Sequence, residues 1–203
     1  TLDSTMTTPE RDYDSPFLMP IEDVFTIKGR GTVVTGRVER GVLQRGEMLE
    51  LVGLTDAELK PRTLVVTGIQ AFHKDIPEAS AGQNVGLLLR GLERTDVERG
   101  QIMAVPGSVA SHDEGQAEIF VISSKEGGRR TPFRAGYKPQ FYFGTTDVTG
   151  SIALPDEVPQ IMPGDHATIG FRLQKPVGIE VGMRFALREG SRTIGAGIVT
   201  AIG

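Results

Sequence analysis

Gly29-Arg-Gly-Thr-Val-Val-Thr-Gly-Arg-Val-Glu-Arg-Gly41 is the stretch on which the fold turns, because it comes one step short of a nucleotide-binding loop. Gly31 and Gly36 bracket four residues as in a P-loop, but Arg37-Val38 follows where phosphate chemistry needs Lys and a Ser or Thr hydroxyl for magnesium. A P-loop also presents successive backbone N–H groups from a flexible turn. Thr32-Val33-Val34-Thr35 is β-branched throughout, stiff at the first side-chain torsion and suited to a pleated strand. The stretch reads as a strand between glycine turns, not a phosphate cradle.

Short β-rich runs of the same kind dominate the chain, at 19–27, 32–39, 47–52, 63–72, 85–92 and 101–105. A second series follows at 116–123, 139–143, 147–154, 167–173, 183–188 and 193–201. Gly, Pro, Asn and Asp turns separate them, which predicts sandwiches or barrels rather than a parallel sheet with helices. Val105-Pro106-Gly107-Ser108 ends the first series and is the natural boundary. The predicted fold is therefore all-β, two antiparallel β-barrels in tandem over 16–105 and 106–203, since closing each sheet removes its exposed edges. Residues 55–62 read as a loop within the first barrel, and 92–99 as a single helical turn before Gly100.

Composition narrows the function. The 203 residues carry no cysteine, which excludes disulfides, thiolate metal sites and cysteine nucleophiles. His73, His112 and His166 lie too far apart for a local metal motif, so no metal site is expected. No apolar run approaches the roughly 20 residues that span a bilayer, and Thr1 to Asp14 lacks a signal pattern, so the expectation is a cytoplasmic protein without membrane contact. Residues 1–15 are polar, acidic and proline-bearing and read as a linker, with a further segment expected upstream. Net charge is −4, yet 16 of the 22 basic residues are arginine, the planar fork suited to phosphate. They cluster at Arg30, Arg37, Arg40 and Arg45, at Arg90, Arg94 and Arg99, and at Arg129, Arg130 and Arg134 with Lys138. Each cluster is either a solvated surface or a polyanion contact.

Glu22 and Asp23 are adjacent, so on a strand they point to opposite faces and do not form a catalytic pair. They suit a strand end that accepts a cationic group, with Phe25 on the face of Asp23 offering a ring; an acidic strand terminus over a core phenylalanine has the same sequence. Gln70-Ala-Phe-His-Lys74 places an amide, a ring, an imidazole and an amine within five residues, a set for stacking an exposed base at roughly 1–3 kcal/mol per base. A core phenylalanine with solvated neighbours is the alternative. Lys125-Glu-Gly-Gly-Arg-Arg-Thr-Pro132 is a glycine turn with paired arginines, a candidate phosphate clamp, and 139–143 is an aromatic strand, mostly core. No nucleophile elbow, zinc-protease helix or Ser/His/Asp arrangement occurs, so no enzyme acting alone is expected.

At Pro16-Phe-Leu-Met-Pro-Ile-Glu-Asp-Val-Phe25 and then 29–41 the chain resembles elongation factor Tu, the translational GTPase family that delivers aminoacyl-tRNA to the ribosome. The resemblance continues through Leu88-Leu-Arg-Gly91, Lys125-Glu-Gly-Gly-Arg129, Gly136-Tyr-Lys-Pro-Gln-Phe-Tyr-Phe143, Thr145-Thr-Asp-Val-Thr-Gly150, Met162-Pro-Gly-Asp165 and Arg184-Phe-Ala-Leu-Arg-Glu-Gly190, nearly the whole chain. It implies the second and third domains of that factor without its GTPase domain. GTP and magnesium would belong to the missing domain, leaving no cofactor here, and no GTP hydrolysis by this chain alone. Implied partners are aminoacyl-tRNA, the GTPase domain, the ribosome and a nucleotide exchange factor.

By this resemblance Glu22, Asp23, Phe25, Thr35, Gln70, Phe72, His73 and Asn84 would form the pocket for the tRNA 3′ end and its amino acid, with Arg99 near the 5′ phosphate. Arg129, Gln140, Thr149, Glu189 and Gly190 would grip the T-stem by shape, and the face bearing Gln140 and Ala186 would meet the GTPase domain, where kirromycin-type antibiotics bind. Three positions depart from the family pattern: Gln70 for the usual Glu, Gly144 for Arg and Arg130 for His. They imply a divergent or duplicate factor with an altered antibiotic response. Two rival readings stand beside this one: a protein-interaction module whose partner is an exchange factor or a toxin, and a fragment of a translational GTPase of initiation or selenocysteine type.

Overall fold

The computed structural model describes residues 10–54 and 62–203. Most of the expected linker, and all of the expected loop at 55–62 except Arg62, lie outside these residues; Arg62 itself opens a strand. The first unit comprises β1 (Leu18–Pro20), β2 (Asp23–Ile27), β3 (Gly31–Arg37), β4 (Val42–Gln44), β5 (Met48–Val52), β6 (Arg62–Ala71), β7 (Lys74–Asp75), β8 (Glu78–Ser80), β9 (Asn84–Leu89) and β10 (Ile102–Ala104). The second comprises β11 (Ser111–Val121), β12 (Phe133–Arg134), β13 (Gln140–Phe143), β14 (Thr146–Ala153), β15 (Gln160–Ile161), β16 (His166–Gly178), β17 (Arg184–Glu189) and β18 (Arg192–Ile202). The protein is all-β with antiparallel pairing throughout, as the strand runs and turns predict. Only the three-residue 3₁₀ turns Arg94–Asp96 and Ser124–Glu126 are helical among the described residues, the first within the turn expected at 92–99.

In the first unit the sheet runs β1-β10-β5-β6-β9-β3-β2, with β7 added to β6, and curls so that β1 meets the chain just beyond β3. Leu18 N–H donates to the Arg40 carbonyl at 3.1 Å and Glu39 N–H to the Leu18 carbonyl at 2.9 Å. Between β1 and β2 the chain changes partner: Ile21 N–H donates to Gln101 and Glu22 N–H to Thr35, which breaks the single strand expected at 19–27 into two. Val34, Leu87, Ile69, Val66 and Leu49 belong to one buried cluster with Met19 and Met103. The second unit is a closed barrel, β11-β16-β14-β13-β17-β18. Phe141, Phe143, Phe171 and Phe185 interlock at its centre with ring centroids 5.1–6.3 Å apart, a geometry favoured beyond simple area burial.

The two units share a third small core of Leu18, Val52, Ile102, Ala104 and Val109, against which Met183 packs. Leu54 N–H donates to the Pro176 carbonyl and Thr145 Oγ1 to the Ile21 carbonyl, each at 2.8 Å. The connecting segment is tied down as well, because Gly107 N–H donates to Oε2 of the buried Glu50 at 2.9 Å. Arg40 leaves the sequence cluster of arginines to form a bidentate pair with Glu180, at 2.7 and 2.9 Å, half-buried at the junction. Gly100 is seated against Thr146: a Cβ there would stand 2.0 Å from Oγ1, and the backbone φ is +97°. Only glycine meets both demands. Gly100→Ala is expected to destabilise the protein by about 3 kcal/mol or more in urea unfolding, against about 1–2 kcal/mol for Arg40→Ala, whose partner retains solvent access.

Candidate functional site

Antiparallel register assembles the first site. Asp23 lies opposite Thr35, Thr35 opposite Gly86, Gly86 opposite Gln70 and Gln70 opposite Asp75, one row across β2, β3, β9, β6 and β7. The next row is Phe25, Val33, Leu88 and Gly68. Alternate residues share a sheet face, and the intervening Val24, Val34, Leu87 and Ile69 fill the core, so both rows lie on the outer face, where Val33 is nonetheless buried by its neighbours. Asn84 stands opposite Arg37 on that same face, one step further along. Phe25 is 42 % exposed, which disposes of a core phenylalanine at that position.

A cleft of about 310 Å³ lies between Gly86, Gln70 and Asp75 of the first row and Val33, Leu88 and Gly68 of the next, and its lining includes none of Asp23, Phe25, Thr35 and Asn84. Val33 and Leu88 give it an apolar wall, Gly68 and Gly86 an open floor, and Arg30 and Arg45 a cationic rim. A Cβ on Gly86 would sit 3.3 Å from Val33 Cγ1, so a side chain there would fill the space beside Thr35. Arg45 is held on the rim because its Nε donates to the Thr67 carbonyl at 2.9 Å. Thus the arginine cluster of 30–45 divides, two members serving the cleft and Arg40 the junction. Asp75 and the two floor glycines escaped sequence reading, because their proximity comes from strand pairing and from the hairpin that brings β7 beside β6. The cleft thus sets the polar groups of Gln70 and Asp75 beside an apolar wall.

Beyond the cleft β6 turns into β7 through Phe72 and His73, both left-handed at φ +51° and +62°. Two such residues make the mirror-image hairpin turn that normally requires Asn-Gly or Gly-Gly. Phe72 is 93 % exposed at this turn, so it contributes nothing to the core. Glu22 is exposed beside the start of β2. Arg99 is exposed on the loop before β10, on no strand of the row.

On the second barrel Gln140 pairs with Thr149 on one side and Arg188 on the other, and Ala186 pairs with Tyr142. The Arg129 guanidinium lies 4.2 Å over the Tyr137 ring and 5.7 Å from that of Phe133, a cation–π contact. Its Nε donates to Thr131 Oγ1 at 2.8 Å, and its Nη1 stands 3.5 Å from Glu189 Oε2 without a hydrogen bond. Tyr137 donates its hydroxyl proton to Glu189 Oε2 at 2.7 Å. Burial, and then this bond to a carboxylate, push the phenol up to about 12. Gly190 makes the adjoining turn at φ +60°. Arg129, Glu189 and Gly190 therefore belong to one surface cluster around Tyr137, with Gln140 and Thr149 on the neighbouring strands.

Among the described residues no group of three His, Cys, Asp or Glu side chains is arranged to hold a metal ion, and no helix is long and apolar enough to cross a membrane. Residues 31–104 match the family model for elongation factor Tu domain 2, and residues 108–203 match that for the elongation factor Tu C-terminal domain. The fold and these matches define the β-barrel part of a translation elongation factor. The chain belongs to the elongation factor Tu family, through both of its barrels.

Replacing Phe72-His73 by Asn-Gly is expected to raise stability by about 2 kcal/mol in urea unfolding, because it relieves two left-handed non-glycine residues. Because Tyr137 holds its proton more tightly when folded than at its ordinary value of 10.0, its stabilisation is complete below pH 10 and is lost as pH rises toward 12. Ultraviolet titration of the phenolate should therefore give a midpoint near 12 in the folded protein, and Glu189→Gln should lower it while leaving it above 10, since burial persists.

Proposed function

We propose that these barrels are the aminoacyl-tRNA-binding portion of an elongation factor, which together with a GTP-loaded GTPase domain delivers aminoacyl-tRNA to the ribosomal A site. The observation that carries this reading is the outward row Asp23–Thr35–Gly86–Gln70 beside the Phe25 row, with an exposed Phe72 displayed on a left-handed turn. An adenine fits the flat cleft between Val33, Leu88 and Gln70. The α-amino group of the esterified amino acid then lies toward Asp23 or Asn84, carboxylate and carboxamide groups that accept from an amine without selecting a side chain. Retaining an exposed aromatic in a turn that disfavours it is understandable if the ring packs on RNA or on the amino acid.

In this reading the second barrel receives the T-stem. Arg129 has its guanidinium face on Tyr137 and its edge near Glu189, so it orders the surface and contributes charge, while neighbouring backbone and Gln140 meet the minor groove. Gln140 and Ala186 share the outer face that would dock the GTPase domain, the part that holds GTP and magnesium. The ribosome and a nucleotide exchange factor complete the proposed partners, and the cytoplasm is the proposed location.

Titration with aminoacylated and deacylated tRNA over a salt series, with a GTP- or GDP-loaded GTPase domain of the family added, tests the reading. Acylated tRNA should bind tighter only with the GTP form, and Asp23→Asn or Phe25→Ala should weaken it by roughly tenfold, about 1.4 kcal/mol. Binding indifferent to both acylation and nucleotide would overturn the assignment.

A further inference from the structure

Asp75 ends the outward row, directly across from Gln70 in the β6–β7 pair, and Gln70 Nε2 donates to its Oδ1 at 2.8 Å. A carboxylate only accepts hydrogen bonds, so it selects the amine end of a carboxamide that otherwise presents either end with equal ease. Nitrogen and oxygen diverge from the same planar amide carbon, so both cannot face Asp75 equally. Holding the nitrogen toward Asp75 therefore turns the carbonyl oxygen away from it, and the other neighbour in the row, Gly86, offers no side chain to meet that oxygen. Gln70, Asp75 and Gly86 all line the cleft whose apolar wall is Val33 and Leu88. Asp75 forms no ion pair among the described residues, although Arg30 and Arg45 line the same cleft.

We propose that Asp75 is a positioning residue: by holding the Gln70 amine it makes the cleft present a hydrogen-bond acceptor, so that a planar base bearing an exocyclic amine is preferred over one bearing a keto oxygen. The assignment rests on reading the cleft as the site of an RNA 3′ end, and adds to it the direction of the hydrogen bond and the residue that sets it. An entering adenine donates its amine to the carbonyl oxygen. Hypoxanthine brings an oxygen to the same place, so acceptor meets acceptor.

The test uses two chemically acylated minihelix RNAs, identical except that one ends in adenosine and the other in inosine, bound to the 203-residue chain with the GTP-loaded GTPase domain present. Asp75 is exposed, so its variants keep the core intact. The wild-type protein should prefer the adenosine RNA by roughly tenfold, the effect of one hydrogen bond made or opposed. Asp75→Asn lets the amide adopt either orientation and should reduce the preference to roughly threefold or less. Asp75→Lys donates to the carbonyl oxygen, turns the amine into the cleft and should reverse the preference toward inosine. Comparing the two RNAs cancels the general attraction that an added cation has for any polyanion. A purely structural role for Asp75 would change both affinities together and leave the ratio unmoved. An undiminished tenfold preference in both variants overturns the proposal while leaving the 3′-end reading intact. Failure of the wild-type protein to bind either RNA overturns that reading and the role of Asp75 with it.

Discussion

Antiparallel register across β2, β3, β9, β6 and β7 is the constraint on which the candidate site depends. Strands lie about 4.8 Å apart, so the five residues from Asp23 to Asp75 span about 19 Å of outer surface. Their placement follows from the parity of the residues beneath them: Val24, Val34, Leu87 and Ile69 are buried, so their neighbours on each strand are forced outward. A slip of one residue in any strand would move its apolar side chains into water and its polar ones into the core. The hydrophobic core thus sets the register, and the register sets the site.

The junction holds the barrels by several different kinds of contact. A small shared core, backbone hydrogen bonds, a half-buried bidentate ion pair and the close approach of Gly100 to Thr146 all bridge the same boundary. Removing one leaves the others, yet the glycine is the least replaceable, because a steric demand cannot be shared among neighbours as an electrostatic one can. Gly144 also lies at this boundary, left-handed at φ +59° and beside Pro20. A residue with a side chain would be strained there, which gives a physical reason for glycine at a position where the family resemblance leads one to expect arginine.

Local cost and exposure distinguish two surface features from the rest of the fold. The Phe72-His73 turn holds two residues in a conformation that disfavours them and leaves the larger one in water, although the chain has glycine available at many other turns. On the second barrel Arg129, Tyr137 and Glu189 pair among themselves, so a residue that sequence reading marks as a phosphate clamp is in the fold partly a scaffold for its neighbours.

Much of this was legible in the sequence. Strand alternation and glycine or proline turns are local properties, and they determined the all-β class and most strand positions; ordered motifs along the chain pointed to the family that the model matches bear out. Asp23, Phe25 and Gln70 were visible as candidates because their chemistry is unusual for a strand surface. The tertiary structure alone decided that Gln70 faces Asp75, that Arg40 deserts its sequence neighbours for Glu180, that Phe72 is exposed rather than buried, and that two glycines open a floor between the rows. Each depends on which strands pair and in what register. That choice is made by closing sheets over their cores, where residues as distant as Arg40 and Glu180 become neighbours, and no local pattern encodes it.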